Sequence, residues 1–96
     1  MDAHEFETQM LRDGYIDIKT KTIETGVDLS IHNHAFDTRL LVLEGEATIT
    51  CAGVERIYRA GEVMEIERGV EHTERYGQTR FRFVVALRHK PVGEAA

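Results

Sequence analysis

The stretch GVDLSIHNHAFDTRLLVLEG, residues 26 to 45, decides how this chain is read. It places two of the five histidines, His32 and His34, one residue apart in a run whose other residues suit a strand. On a strand, successive side chains point to opposite faces, so the two imidazoles share one face while Ile31 and Asn33 take the other. Three readings suit such a pair: a metal chelate, a stacked polar ligand site, or a solvated strand face. Leu40 to Leu43, an uninterrupted aliphatic stretch, follows closely, and Leu40 with Val42 is expected to line an interior beyond the histidines.

Outward from this stretch the glycines set a rhythm. After Gly26, the glycines Gly45, Gly53, Gly61, Gly69 and Gly77 recur at intervals of eight residues, the spacing of short antiparallel strands joined by tight turns. The segments YIDIKTKTIE, DLSIHNH, TRLLVL, EATITC, VERIY, VMEI, VEHTER and RFRFVVALRH read as strands between these turns. In the last of them Phe81, Phe83, Val85 and Leu87 alternate, which marks a buried face. Only the N-terminus departs from this pattern: Asp2 caps a helix through AHEFETQMLRD, with Phe6, Met10 and Leu11 at helical spacing and Gly14 as its stop. The expected fold is all-β, a small antiparallel barrel with one short N-terminal α-helix, closed or nearly so to cover its strand edges. Its expected organisation is a single domain over residues 1–96, with the helix in 1–14, the barrel in 15–90 and a tail in 91–96 beyond Pro91.

At 96 residues, a single core forms with little surplus, so a bound metal or a dimer interface would add stability. The net charge of −5 repels phosphate backbones and anionic lipid surfaces, which argues against nucleic acid and membrane as partners. The acidic start MDAHEFETQM has no apolar run, so neither a signal peptide nor a membrane span is expected. One cysteine, Cys51, forms no internal disulfide and agrees with the cytoplasm; no histidine adjoins it in sequence, and it reads as a small filler near a turn. The segment LLVL is apolar on both faces, which leads us to expect a homodimer.

A third histidine, His72, lies in ERGVEHTER, remote from the first pair in sequence. Three neutral imidazoles converging inside a barrel suit a late first-row divalent metal such as Zn, Cu, Ni or Fe. His4, in the helix, and His89, at the end of the last strand, have no motif partner.

Two spaced motifs now stand out. Gly26, five residues, HNH, three residues, Thr38, six residues and Gly45 resembles the first motif of the cupins. Gly61, five residues, Glu67, one residue, Gly69, two residues, His72, three residues and Tyr76 resembles their second. The chain is identified on these residues as resembling a small single-domain bacterial cupin of jelly-roll type. Cupins are barrels of six or more strands, often dimeric, that commonly hold a divalent metal with three histidines and a glutamate. The resemblance therefore implies His32, His34 and His72 as ligands of a divalent transition metal (Zn, Fe, Ni or Mn), and a small-molecule ligand in the barrel.

Thr38 stands where the family has its glutamate ligand, and Glu67 and Tyr76 stand where its second motif has proline and asparagine. Some members, the thiol dioxygenases among them, work with three histidines and iron. Two acids are candidates for the missing carboxylate. Asp37 adjoins Thr38, but on a strand it faces away beside Arg39, and a structural Asp37–Arg39 pair is the favoured reading. Glu74 shares a strand face with His72, though an acid on a wet rim is its favoured reading. Tyr76 follows on the same face, either offering a phenol to a ligand or closing the barrel mouth. Functionally, a metal site that binds a small molecule, with or without turnover, competes with a metal-free ligand-sensing or dimerisation module and with a purely structural barrel.

Overall fold

The computed structural model describes residues 1–24, 28–77 and 79–89, with backbone alone for 28–31. The Gly26 turn and the KPVGEAA tail lie outside the described residues. One helix, α1 (Ala3–Arg12), precedes eight strands: β1 (Ile16–Ile23), β2 (Asp28–His32), β3 (Phe36–Glu44), β4 (Glu46–Cys51), β5 (Val54–Arg59), β6 (Val63–Ile66), β7 (His72–Tyr76) and β8 (Phe81–His89). They form two four-stranded sheets, ordered β1-β8-β3-β6 and β2-β7-β4-β5, and every pairing is antiparallel. This is the small antiparallel all-β architecture that the glycine spacing predicts, of the jelly-roll type that the cupin resemblance implies.

Between the sheets lies an inner core in which Leu40, Val42, Ala47, Ile49, Phe81 and Phe83 meet. The alternation of β3 and β8 assigns Leu40, Val42, Phe81 and Phe83 to one face, as expected, and Ala47 and Ile49 of β4 meet them from the other sheet. Gly45 turns β3 into β4 at φ +83°, and a Cβ there would stand 2.4 Å from the Arg80 carbonyl oxygen, so only glycine fits.

A second core accounts for the other face of LLVL. Phe6 and Met10 of α1 pack on Leu41, Val84 and Ala86, all buried. Each such large side chain contributes about 1.5–3 kcal/mol on burial. The outer face of β3 is thus covered by the chain's own helix, and the reason for expecting a partner there is met within the chain. As expected, Asp2 caps α1, accepting a hydrogen bond from the Glu5 backbone N–H at 2.8 Å. Leu11 instead stays 65% exposed, because at about 100° per residue it turns away from the stripe that Phe6 and Met10 form at i and i+4.

The helix is clasped to the sheet at its C-terminal end. Tyr15 is buried, with the guanidinium of Arg88 4.7 Å from its ring centre and that of Arg39 5.0 Å. Arg39 also reaches Asp13 at 3.2 Å and Glu65 at 3.4 Å. The Tyr15 hydroxyl has no hydrogen-bond partner among the described residues, and burial pushes its pKa up, making it a weaker acid. An unpaired buried hydroxyl costs about 1–3 kcal/mol. A Tyr15→Phe variant, which keeps the ring between its two cations, is expected to be at least as stable as the parent in urea unfolding.

Candidate metal centre

The chain must leave one sheet for the other between β2 and β3, and this crossing shapes the site. β2 ends at His32, so His34 lies past the strand, before a bend at Ala35. The two-residue strand period predicted for this pair therefore does not extend to His34. The rings still converge, edge to face at 70°, with centroids 4.9 Å apart. The turn before β7 supports the loop from the other side: the Gly69 N–H donates to the His34 carbonyl at 2.8 Å.

β7 lies between β2 and β4 and supplies the rest. In this register His72 stands opposite His32 on one side and Cys51 on the other, and directly opposed residues share a face. The His72 ring lies 4.2 Å from that of His32 and 5.1 Å from that of His34, centroid to centroid. Two residues on, Glu74 points the same way. The ligand atoms of His32, His34, His72 and Glu74 all lie within 4.8 Å of one another.

Several details suit this cluster to a cation. His72 Nδ1 makes a 3.0 Å hydrogen bond with the Val70 carbonyl, which orients the ring and turns Nε2 to the cluster. That Nε2 is buried and has no hydrogen-bond partner among the described residues. Glu74 Oε1 stands 3.4 Å from it and 3.8 Å from His32 Nε2, too far for good hydrogen bonds. Two donors bound to one cation at about 2.0–2.1 Å and tetrahedral angles lie about 3.4 Å apart, so the His72–Glu74 spacing fits shared coordination, and His32 would close in by a few tenths of an ångström to join it. The other carboxylate oxygen, Oε2, accepts a 2.6 Å hydrogen bond from the Tyr76 hydroxyl, leaving Oε1 to the histidines.

Protonation also suits coordination. Burial first, then the charges of His32 and His72, push the His34 imidazole below its usual value and favour the neutral form a metal requires. Burial and the hydrogen bond to Glu74 raise Tyr76 well above the ordinary phenol range. Tyr76 thus stays a phenol and holds Glu74 rather than offering itself as a base.

The three histidines chosen from sequence meet, and the carboxylate beside them is Glu74, whose side chain is only 13% exposed and so not on a wet rim. Asp37 lies elsewhere. It does face away from the interior, but its partners are Arg68 at 3.2 Å and Arg88 at 3.0 Å, while Arg39 turns to Asp13 and Glu65. Arg39 thus leaves Asp37 to the turn before β7 and to the neighbouring strand. Cys51 is half-buried against the inner core, opposite His72, a proximity that only the strand register reveals. His89 lies 3.6 Å from Asp17 and takes no part in the cluster.

A cavity of about 590 Å³ opens between the sheets, with His34, Thr38, Glu74 and Tyr76 among its lining residues. Its size is that of small-molecule pockets. The Thr38 hydroxyl is buried there and has no hydrogen-bond partner among the described residues.

Residues 20–86 match the family model described as "Cupin domain". The chain is a cupin. Among solved structures, this cupin is similar to a cupin superfamily protein from Desulfitobacterium hafniense, with TM-score 0.67 and 23% identity over 76% of this chain and 66% of that one. It thus spans just under two thirds of that protein. A protein from Thermotoga maritima described as a predicted oxalate decarboxylase gives TM-score 0.68 and 18% identity over 86% and 74%. The DMSP lyase DddQ from Ruegeria pomeroyi gives 0.67 and 22% over 81% and 40%. No curated protein matches the chain. At these identities the likeness concerns the fold. Among the described residues, no helix of this cupin is long and apolar enough to cross a membrane.

Proposed function

We propose that this cupin holds a divalent transition metal through His32, His34, His72 and Glu74 and presents it to a small molecule bound in the barrel. The observation that carries the reading is the buried His72 Nε2, oriented by Val70 and 3.4 Å from a carboxylate oxygen whose partner oxygen is held by Tyr76. Three neutral imidazoles and one carboxylate leave a divalent cation with one positive charge and with positions open to water or ligand, and suit Zn, Fe, Ni or Mn. When bound, such a cation supplies Lewis acidity toward a carbonyl or carboxylate oxygen. The chain's own contribution is to fix the donors, keep His34 neutral and line the adjoining cavity with apolar walls. Cytoplasmic residence suits its single thiol.

Elemental analysis of protein purified without a histidine tag tests the proposal. Close to one equivalent of a transition metal is expected, and a His32→Ala/His34→Ala double variant should retain almost none. Equal metal content in the two proteins would refute it.

A further inference from the structure

The inner face of β1 carries charge where an apolar face is the norm. An amphipathic strand ordinarily turns its apolar residues to the core and its polar residues to water. Here Ile18 packs outward with the cluster under α1, while Lys19 is in register with Val85, Lys21 with Phe83 and Ile23 with Phe81. Opposed residues share a face, and Phe81, Phe83 and Val85 belong to the inner core. Lys19 and Lys21 therefore face the cavity, and both line it. The register slips between Ile16 and Lys19, where Asp17 adopts φ +53°: this β-bulge re-aims the strand beside the site.

The acids that share the cavity are engaged elsewhere. Glu74 is held by Tyr76 and faces the histidines, and Asp17 lies 3.6 Å from His89. Neither lysine has an ion pair within 4 Å among the described residues. The buried Thr38 hydroxyl, which lines the same cavity, is a further unpartnered polar group among the described residues. The remaining wall includes Leu40, Ile66, Phe83 and Leu87.

Resting on the reading of this cavity as a ligand site, we infer that its ligand is an organic carboxylate with an apolar body, the carboxylate being held by Lys19 and Lys21 at the β1 side. Two ammonium groups select an anion, and the apolar remainder of the lining disfavours a strongly hydrated phosphate dianion relative to a singly charged carboxylate on an apolar body. Apolar walls hold the body, and the Thr38 hydroxyl offers it a hydrogen bond. Because both lysines are exposed, their attraction is screened by salt and modest for each contact.

The test uses 3-phenylpropanoate and its neutral near-isostere 3-phenylpropanamide, titrated by calorimetry into untagged protein, both chelator-treated and zinc-loaded. The acid is expected to bind about tenfold more tightly than the amide at low salt, with the gap closing at high salt. In a Lys19→Gln/Lys21→Gln variant that melts with the parent, acid and amide should bind alike. Acid binding no tighter than amide binding, including binding of neither, overturns the inference. So does a double variant that retains the preference, and if that variant self-associates instead, the lysines guard a strand edge. Zinc content measured on the same samples separates the two readings: a chain that takes up no zinc loses its metal site, while the acid-to-amide ratio in chelated protein still decides the role of the lysines.

Discussion

A His72→Ala variant is expected to lose at least 100-fold in zinc affinity, measured by competition with a chromogenic chelator, and with it the thermal stabilisation that zinc confers on the parent. A ligand binding only the folded state at 100 times its dissociation constant adds about 2.7 kcal/mol. For a domain of this size, each kcal/mol moves the melting temperature by roughly 4–8 °C, so zinc should raise the parent's melting point by about 10–20 °C and leave the variant's where it is. His72 is the informative position because its ring is already oriented by the Val70 carbonyl and its Nε2 has nothing else to bind among the described residues. Graded controls separate coordination from packing. Tyr76→Phe removes only the hydroxyl that holds Glu74 Oε2, and loss of such an outer contact costs about 10-fold to 100-fold in affinity. Glu74→Gln should fall between the two. Zinc binding in His72→Ala within threefold of the parent would remove the metal from the account and leave a cavity lined by hydrogen-bonded histidines.

What the sequence made legible is what repeats along the chain or is spoken for locally. The glycine spacing predicts the antiparallel architecture, Asp2 predicts the cap of α1, and the alternation of Phe81 with Phe83 predicts the inner face of β8. The histidines are legible because two motifs place them, although the single strand face expected to join His32 and His34 yields to a strand end and a loop that brings the rings together another way. The parts that escaped depend on register and on distant partners. Glu74 belongs to the cluster because Tyr76 holds one of its oxygens while His72 of its own strand and His32 of β2 face the second; from sequence the face shared with His72 makes it a candidate, but nothing there separates it from an acid on a wet rim. Cys51 adjoins His72 only through the pairing of β4 with β7. The sidedness of β1 rests on a bulge at Asp17, and a period-two pattern of isoleucine, threonine and lysine carries no mark of it. Asp37 is the clearest case. Its neighbour two residues on, Arg39, was the natural partner to assign, yet the side chains it binds come from 31 and 51 residues away.

That cluster carries the second large expected effect. Asp37 accepts three hydrogen bonds from Arg68, one of them from the backbone N–H at 2.9 Å, and two from Arg88, so one carboxylate ties the turn before β7 to β3 and β8. Its side chain is only 9% exposed. The hydrogen bonds from Arg68, then those from Arg88, hold the carboxyl well below the usual carboxylate range against the opposing effect of burial. Removing one partner of a buried pair costs about 3–5 kcal/mol, but Arg68 and Arg88 remain 32% and 40% exposed and rehydrate, which brings the expected loss for Asp37→Asn to about 2 kcal/mol at pH 7. A folded-state value depressed below the unfolded one contributes stability that is fully present above the unfolded value, about 3.9, and is lost as pH falls through the folded value. The gap between parent and Asp37→Asn in urea unfolding is therefore expected to stay constant from pH 7 down to about 5 and to narrow steadily below 4. An asparagine variant as stable as the parent at pH 7, or a gap that holds its size into acid, would mean that the two arginines find water as good a partner as Asp37. The turn carrying Gly69, and through it the His34 carbonyl, would then owe its position to contacts other than the Asp37 carboxylate, among them the Gly69 N–H to His34 carbonyl bond and the His72 bond to the Val70 carbonyl.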